Sequence, residues 1–144
     1  MYFTKWKNID RCGLTNEQIS QIIESAITYH RFHLNIGLAT GIRAAFAALG
    51  ALGVDRNNFG VKKAEVNSMY CFAQAIEVVL AVQAIRGTLD FTVTKDTAPK
   101  LVAYSETQVV TVVLNNISFQ IPAEVLTCPE ERLFSSITVA SWIS

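Results

Sequence analysis

Gly87-Thr88-Leu89-Asp90-Phe91-Thr92-Val93-Thr94, residues 87–94, is the stretch at which the apolar period of this chain changes. Leu89, Phe91 and Val93 alternate with Asp90, Thr92 and Thr94, the pattern of a strand with one buried face. Upstream of it, beyond an N-terminal arm, the chain repeats at helical spacing, and downstream it reads mostly as strand. A run of helices before a run of strands is the signature of an α+β fold. The expected architecture is two layers, with N-terminal helices packed on a C-terminal, mainly antiparallel sheet of about four strands, as one domain over residues 1–144.

Upstream, residues 1–13 read as an arm or first strand, with Tyr2, Phe3 and Trp6 available to dock it. Thr15 and Gln18 have the spacing of a capping box, and Leu14 and Ile19 that of a hydrophobic staple, so a helix starts there. Its apolar stripe is Ile19, Ile22, Ile23, Ala26 and Ile27. A second helix occupies residues 34–54. Gly37 and Gly41 lie four apart in it, which lets another backbone approach closely, and Gly50 and Gly53 suit its end. A third is expected over residues 62–86. It is apolar nearly all round, with a narrow polar stripe of Lys63, Asn67, Tyr70, Gln74 and Glu77, which marks a central or interfacial helix.

Downstream, residues 95–99 read as a turn, and residues 100–104 and 108–114 as strands, the second apolar on both faces. Asn115-Asn116 predicts a hairpin into a strand carrying Ile117, Phe119 and Ile121, which Pro122 ends. Thr127 and Glu130 have capping-box spacing, and the tail is expected to be helical rather than a last strand.

The chain has 144 residues, 51% of them hydrophobic and 17% charged, with a formal net charge of zero. That neutrality argues against nucleic acid as a partner. So little charge on so small a protein points to a homo-oligomer, or to a partner that covers part of its surface. A membrane span over residues 36–54 is not expected, because Arg43 at its centre would cost about 2.5–3.5 kcal/mol to insert. Cys12, Cys71 and Cys128 are widely spaced and odd in number, so they suggest neither a disulfide framework nor a metal site but a reducing, cytoplasmic setting.

Candidate chemistry is sparse. His30 and His33, three apart near the end of the first helix, are able to share or bracket a ligand, yet no further metal ligand is near them in sequence, so no metal and no cofactor is expected. Arg43 and Glu77 are isolated charges in long apolar segments; each must pair, reach water or face a ligand. The candidate ligand-binding set is therefore His30, His33, Arg43, Tyr70, Gln74 and Glu77, with Arg43 suited to an anion. Cys71, between Tyr70 and Phe72, reads as a small core residue of the third helix. Basic residues crowd the first half (Lys5, Lys7, Arg11, Arg31, Arg43, Arg56, Lys62, Lys63), which either complements the second half or forms an anion patch. No nucleophile elbow, P-loop or dinucleotide fingerprint occurs. These residues point to a non-enzymatic binding protein acting as a homo-oligomer. It would recognise a protein or a small anionic ligand, in the style of small phage or mobile-element inhibitors. The alternatives are a small enzyme with His30 or His33 as acid–base, and a structural subunit of a larger assembly.

Overall fold

The computed structural model describes residues 6, 8–9, 13–58, 60–67, 71–91, 98–115 and 119–142. Helix α1 spans Asn16–Tyr29 and starts as its sequence demands. Thr15 Oγ1 accepts from the Gln18 N–H at 3.1 Å, and Gln18 Oε1 accepts from the Thr15 N–H at 2.9 Å. Trp6 docks on this helix, buried, with its indole N–H on Ser20 Oγ at 2.8 Å; Tyr2 and Phe3 lie outside the described residues.

Helix α2, Ile36–Leu52, is the centre of the fold. It is capped by Asn35 at one end and closed by Gly53 in the left-handed conformation, φ 65°, at the other. Sheet strands lie on one side of it, α3 (Cys71–Leu80) and α4 (Pro122–Thr127) on others. A helix walled in on so many sides must be small and apolar all round, which is why Ala44, Ala45, Ala47 and Ala48 crowd together there. A Cβ on Gly41 would meet the Phe72 carbonyl oxygen at 2.7 Å and Ala75 Cβ at 2.8 Å; one on Gly37 would meet Cys71 Cβ at 3.2 Å. These two glycines therefore set how closely α3 lies on α2.

The third helix is shorter than its sequence suggests, and the difference is a strand. Residues Lys63–Val66 form β1, with Ala64 and Val66 buried and Lys63 and Glu65 turned outward. Four residues fit either period, and tertiary pairing decides. β1 bonds on both sides, antiparallel to β3 (Lys100–Tyr104) and parallel to β2 (Leu89–Phe91). Residues 68–70 lie outside the described residues, and α3 is described from Cys71. That helix ends at Leu80, where Ala81 has φ 58°, and Ile85 beyond it is 92% exposed rather than part of an apolar helix face.

The sheet has five strands in the order β2-β1-β3-β4-β5, all antiparallel except β1 with β2. Strand β4, Gln108–Leu114, matches expectation, but the chain beyond it does not. Asn116 and Ile117 lie outside the described residues. The expected turn at Asn115-Asn116 thus falls largely outside them; Asn115 itself donates its side-chain amide to the carbonyls of Glu131 and Arg132, tying down α5 (Glu130–Leu133). Pro122 does not end a strand. It opens α4, where its missing N–H costs nothing at a first helical position. Thr127 makes no capping box, because its hydroxyl turns back onto the Ala123 carbonyl within α4. The tail is helical over four residues only. Phe134–Ser141 forms β5, because the open side of the apolar β4 takes Ile137, Thr138 and Val139 as a ladder partner. Helices and sheet together make a two-layer α+β fold with a continuous apolar core between them.

Gly41→Ala is expected to lower the unfolding free energy by about 1–3 kcal/mol, because backbone rather than a flexible side chain must give way. Urea unfolding with an unchanged m-value would register it.

Candidate functional site

The site forms where α1 stops. After Tyr29 the chain turns through Arg31 and Phe32, with φ 57° and 61°, although neither is glycine. Non-glycine residues held there cost roughly 1–3 kcal/mol each and persist when surrounding bonds over-determine them. The bonds are present. The Phe32 N–H reaches back to the Ile27 carbonyl at 2.9 Å, and His30 Nδ1 lies 2.7 Å from the His33 carbonyl oxygen.

That last contact fixes the imidazole. A carbonyl only accepts, so Nδ1 carries the hydrogen, and in the neutral ring Nε2 is left with its lone pair. Nε2 lies 3.0 Å from Cys71 Sγ. A second group reaches the same sulfur, because Asn35 Nδ2 donates to Sγ at 3.2 Å. The Asn35 amide has a fixed orientation too, since its Oδ1 caps α2 by accepting from the Leu38 N–H at 2.8 Å. Cys71 lies on α3, the half-buried sulfur facing the end of α1 and the cap of α2. Sulfur, imidazole and amide thus meet at the junction of three helices, all partly buried. The residue taken from sequence as a core filler has a base and a hydrogen-bond donor aimed at it.

The other expected residues divide. Glu77, two turns along α3, accepts from Tyr29 Oη at 2.7 Å across the α1–α3 seam. Gln74 lies between Cys71 and Glu77 in sequence, with Oε1 buried and without a hydrogen-bond partner among the described residues. The His33 ring is exposed and stacks on His30 with centroids 6.0 Å apart, so its contribution to the site runs through its backbone carbonyl. Tyr70 lies outside the described residues.

Arg43 belongs elsewhere. It is 2% exposed, and its guanidinium donates to the carbonyls of Val125 (2.9 Å), Cys128 (2.7 Å) and Asn8 (2.8 Å). Burial pushes it below the ordinary arginine range, and Cys128 and Glu130 pull part of the way back. Its place on α2 holds the end of α4 and the N-terminal segment to the core. It makes no bond to Glu77, and its donors are engaged by the protein's own backbone rather than presented to an anion.

Among the described residues no cluster of His, Cys, Asp or Glu is able to hold a metal ion. No helix among them is long and apolar enough to cross a membrane. No protein-family model matches the sequence, and no curated protein matches it significantly.

Arg43→Ala leaves three carbonyls without their donor, and is expected to cost about 3 kcal/mol or more, measured by chemical denaturation. The bond to Glu77, with burial and the carboxylate's charge adding to it, raises the Tyr29 phenol above its ordinary value of 10.0. A raised phenol binds its proton more tightly in the folded chain, so this contribution to stability is full below the ordinary tyrosine range. It is lost as pH rises through the raised folded value. Tyr29→Phe should therefore weaken the loss of stability between about pH 9 and about pH 12, read as the shift in urea midpoint.

Proposed function

We propose that the chain is a cysteine-dependent enzyme of the acyl-transfer or hydrolase class, with Cys71 as nucleophile and His30 as general base and acid. The observation that carries this reading is the 3.0 Å line from Cys71 Sγ to a His30 Nε2 whose partner nitrogen is held by a backbone carbonyl. A thiol nucleophile needs an adjacent base, itself oriented by a third group, and gains from a helix N-terminus. The base and the group that orients it are present, and two left-handed residues at the turn are maintained beside them.

The chemistry balances with the groups in place. Sγ attacks the carbonyl carbon of an acyl substrate as its proton passes to Nε2. The negative charge that develops on the carbonyl oxygen is met by the Asn35 amide. As the tetrahedral carbon collapses, the bond to the amine, alcohol or thiol breaks, and Nε2 returns the proton to the departing group. Water then adds to the thioester, giving its proton to Nε2, and the carboxylic acid leaves as Cys71 recovers its hydrogen. Asn35 and the His33 carbonyl are positioning groups; Asn35 also touches the sulfur.

The test is acylation by p-nitrophenyl acetate, monitored by release of nitrophenol and by peptide mass spectrometry. The acetyl group is expected on Cys71, with turnover lost in Cys71→Ala and slowed about 10²–10⁴-fold in His30→Ala. His33→Ala keeps the carbonyl and should retain most of the rate. Labelling of Cys71 that is indifferent to His30 would sink the reading.

A second reading, a homo-oligomeric protein that binds a protein partner or a small ligand, is supported by a different observation. Phe32, Ile85 and Trp142 are large apolar side chains 81%, 92% and 50% exposed, and a partner would cover them. The two readings are compatible. A reducing, cytoplasmic setting fits both, since Cys71 is a free thiol.

A further inference from the structure

We infer that β5 is an interface strand, pairing antiparallel with β5 of a second copy of this chain and joining two five-stranded sheets into one. The inference rests on the oligomeric reading above and is independent of the chemistry at Cys71.

The two edges of the sheet carry different residues. β2, described over Leu89–Phe91, has its Asp90 paired with Lys63 of β1 at 3.0 Å. Charged edges resist the addition of another strand. β5 is eight residues long, Phe-Ser-Ser-Ile-Thr-Val-Ala-Ser, with no charge, no proline and no glycine. The irregularity in its pairing lies at Val113/Leu114, so from Ser136 onward its register with β4 is regular. Among the described residues it has a neighbouring strand on one side alone. No described strand pairs with its other side, along which backbone donors and acceptors alternate.

The covering of that side is indicated by two side chains. Ile137 stands opposite Val112 and Val139 opposite Val110, so both project to the face of the sheet on which Val110 and Val112 are wholly buried against the helices. Val139 is nevertheless 42% exposed, and Ile137 is only half-buried. The core face of the sheet therefore runs on past the end of the helix layer. An antiparallel two-fold centred on Thr138 sets Ile137 against Val139 of the second copy, and the reverse. Four apolar side chains then continue the row of Val110 and Val112 across the axis. A two-fold sets every charge near its own likeness, and a strand without charges is the kind that tolerates this.

Sedimentation equilibrium tests the inference. The chain is expected to be dimeric at about 50 µM. Thr138→Lys, an exposed site that would bring two ammonium groups together on the axis, should raise the dissociation constant at least about 10-fold, and Val139→Lys likewise, with unchanged circular dichroism. Cys71→Ala should dimerise as the unaltered chain does, so loss of the acyl chemistry and loss of the dimer are read separately. If the lysine variants do not fold, hydrogen exchange on the unaltered chain decides. Protection of β5 amides that grows with protein concentration supports the pairing, and protection that ignores concentration overturns it. A monomer at about 500 µM, or a dimer untouched by both lysines, also overturns it.

Discussion

The close approach of α2 and α3 is the constraint on which the rest of the molecule depends. Gly41 lets the backbone of Phe72 sit where any side chain would stand, and Gly37 does nearly the same for Cys71. Because the helices meet at this distance, Cys71 of α3 lies beside the residue that caps α2. Asn35 then serves two helices at once, its oxygen closing one and its nitrogen donating to the sulfur of the other. His30 reaches the same sulfur from the end of α1. The strained turn at Arg31 and Phe32 supplies the carbonyl that fixes its ring. Site and core are thus one packing problem rather than a pocket added to a scaffold.

The scarcity of charge has a similar logic. A helix as enclosed as α2 holds a guanidinium only if every donor is used well, and Arg43 is spent on main-chain carbonyls from segments far apart in sequence. Leaving such carbonyls unmet inside the protein would be more costly than burying the cation that meets them. Arg43 is therefore a fastener for α4 and the N-terminal segment. Glu77, the other isolated charge, is at the α1–α3 seam with Tyr29. The two isolated charges of the apolar helices solve the same problem separately, one with backbone and one with a phenol.

Much of the architecture was legible in the residues. The capping box at Thr15, the glycine stop at Gly53 and strands β3 and β4 are where their local patterns put them. The errors cluster where local signals are compatible with two states. Lys63–Val66 is too short to show a period, and only pairing with β2 and β3 makes it a strand. Pro122 was equally fit to stop a strand or to begin a helix. The tail became β5 because β4 needed a neighbour. These errors bear on the site, since a helix drawn from residue 62 hides Cys71 in its middle, whereas in the fold the half-buried thiol lies within reach of His30 and Asn35. Of the expected site residues, His30 is at the centre of the cluster and His33 contributes its carbonyl.

The order of apolar residues was enough to place helices first and strands after, because periodicity is a local property that survives without neighbours. It was also enough to show that another backbone could come close to α2, because Gly37 and Gly41 stand one turn apart without side chains. Which residues meet was decided by tertiary structure alone. His30, Asn35 and Cys71 are separated by up to 41 residues, and nothing in their local spacing brings a nitrogen to a sulfur. That distance is closed by helix ends converging on two glycines, and convergence of chain ends is a long-range consequence of packing that no local pattern encodes.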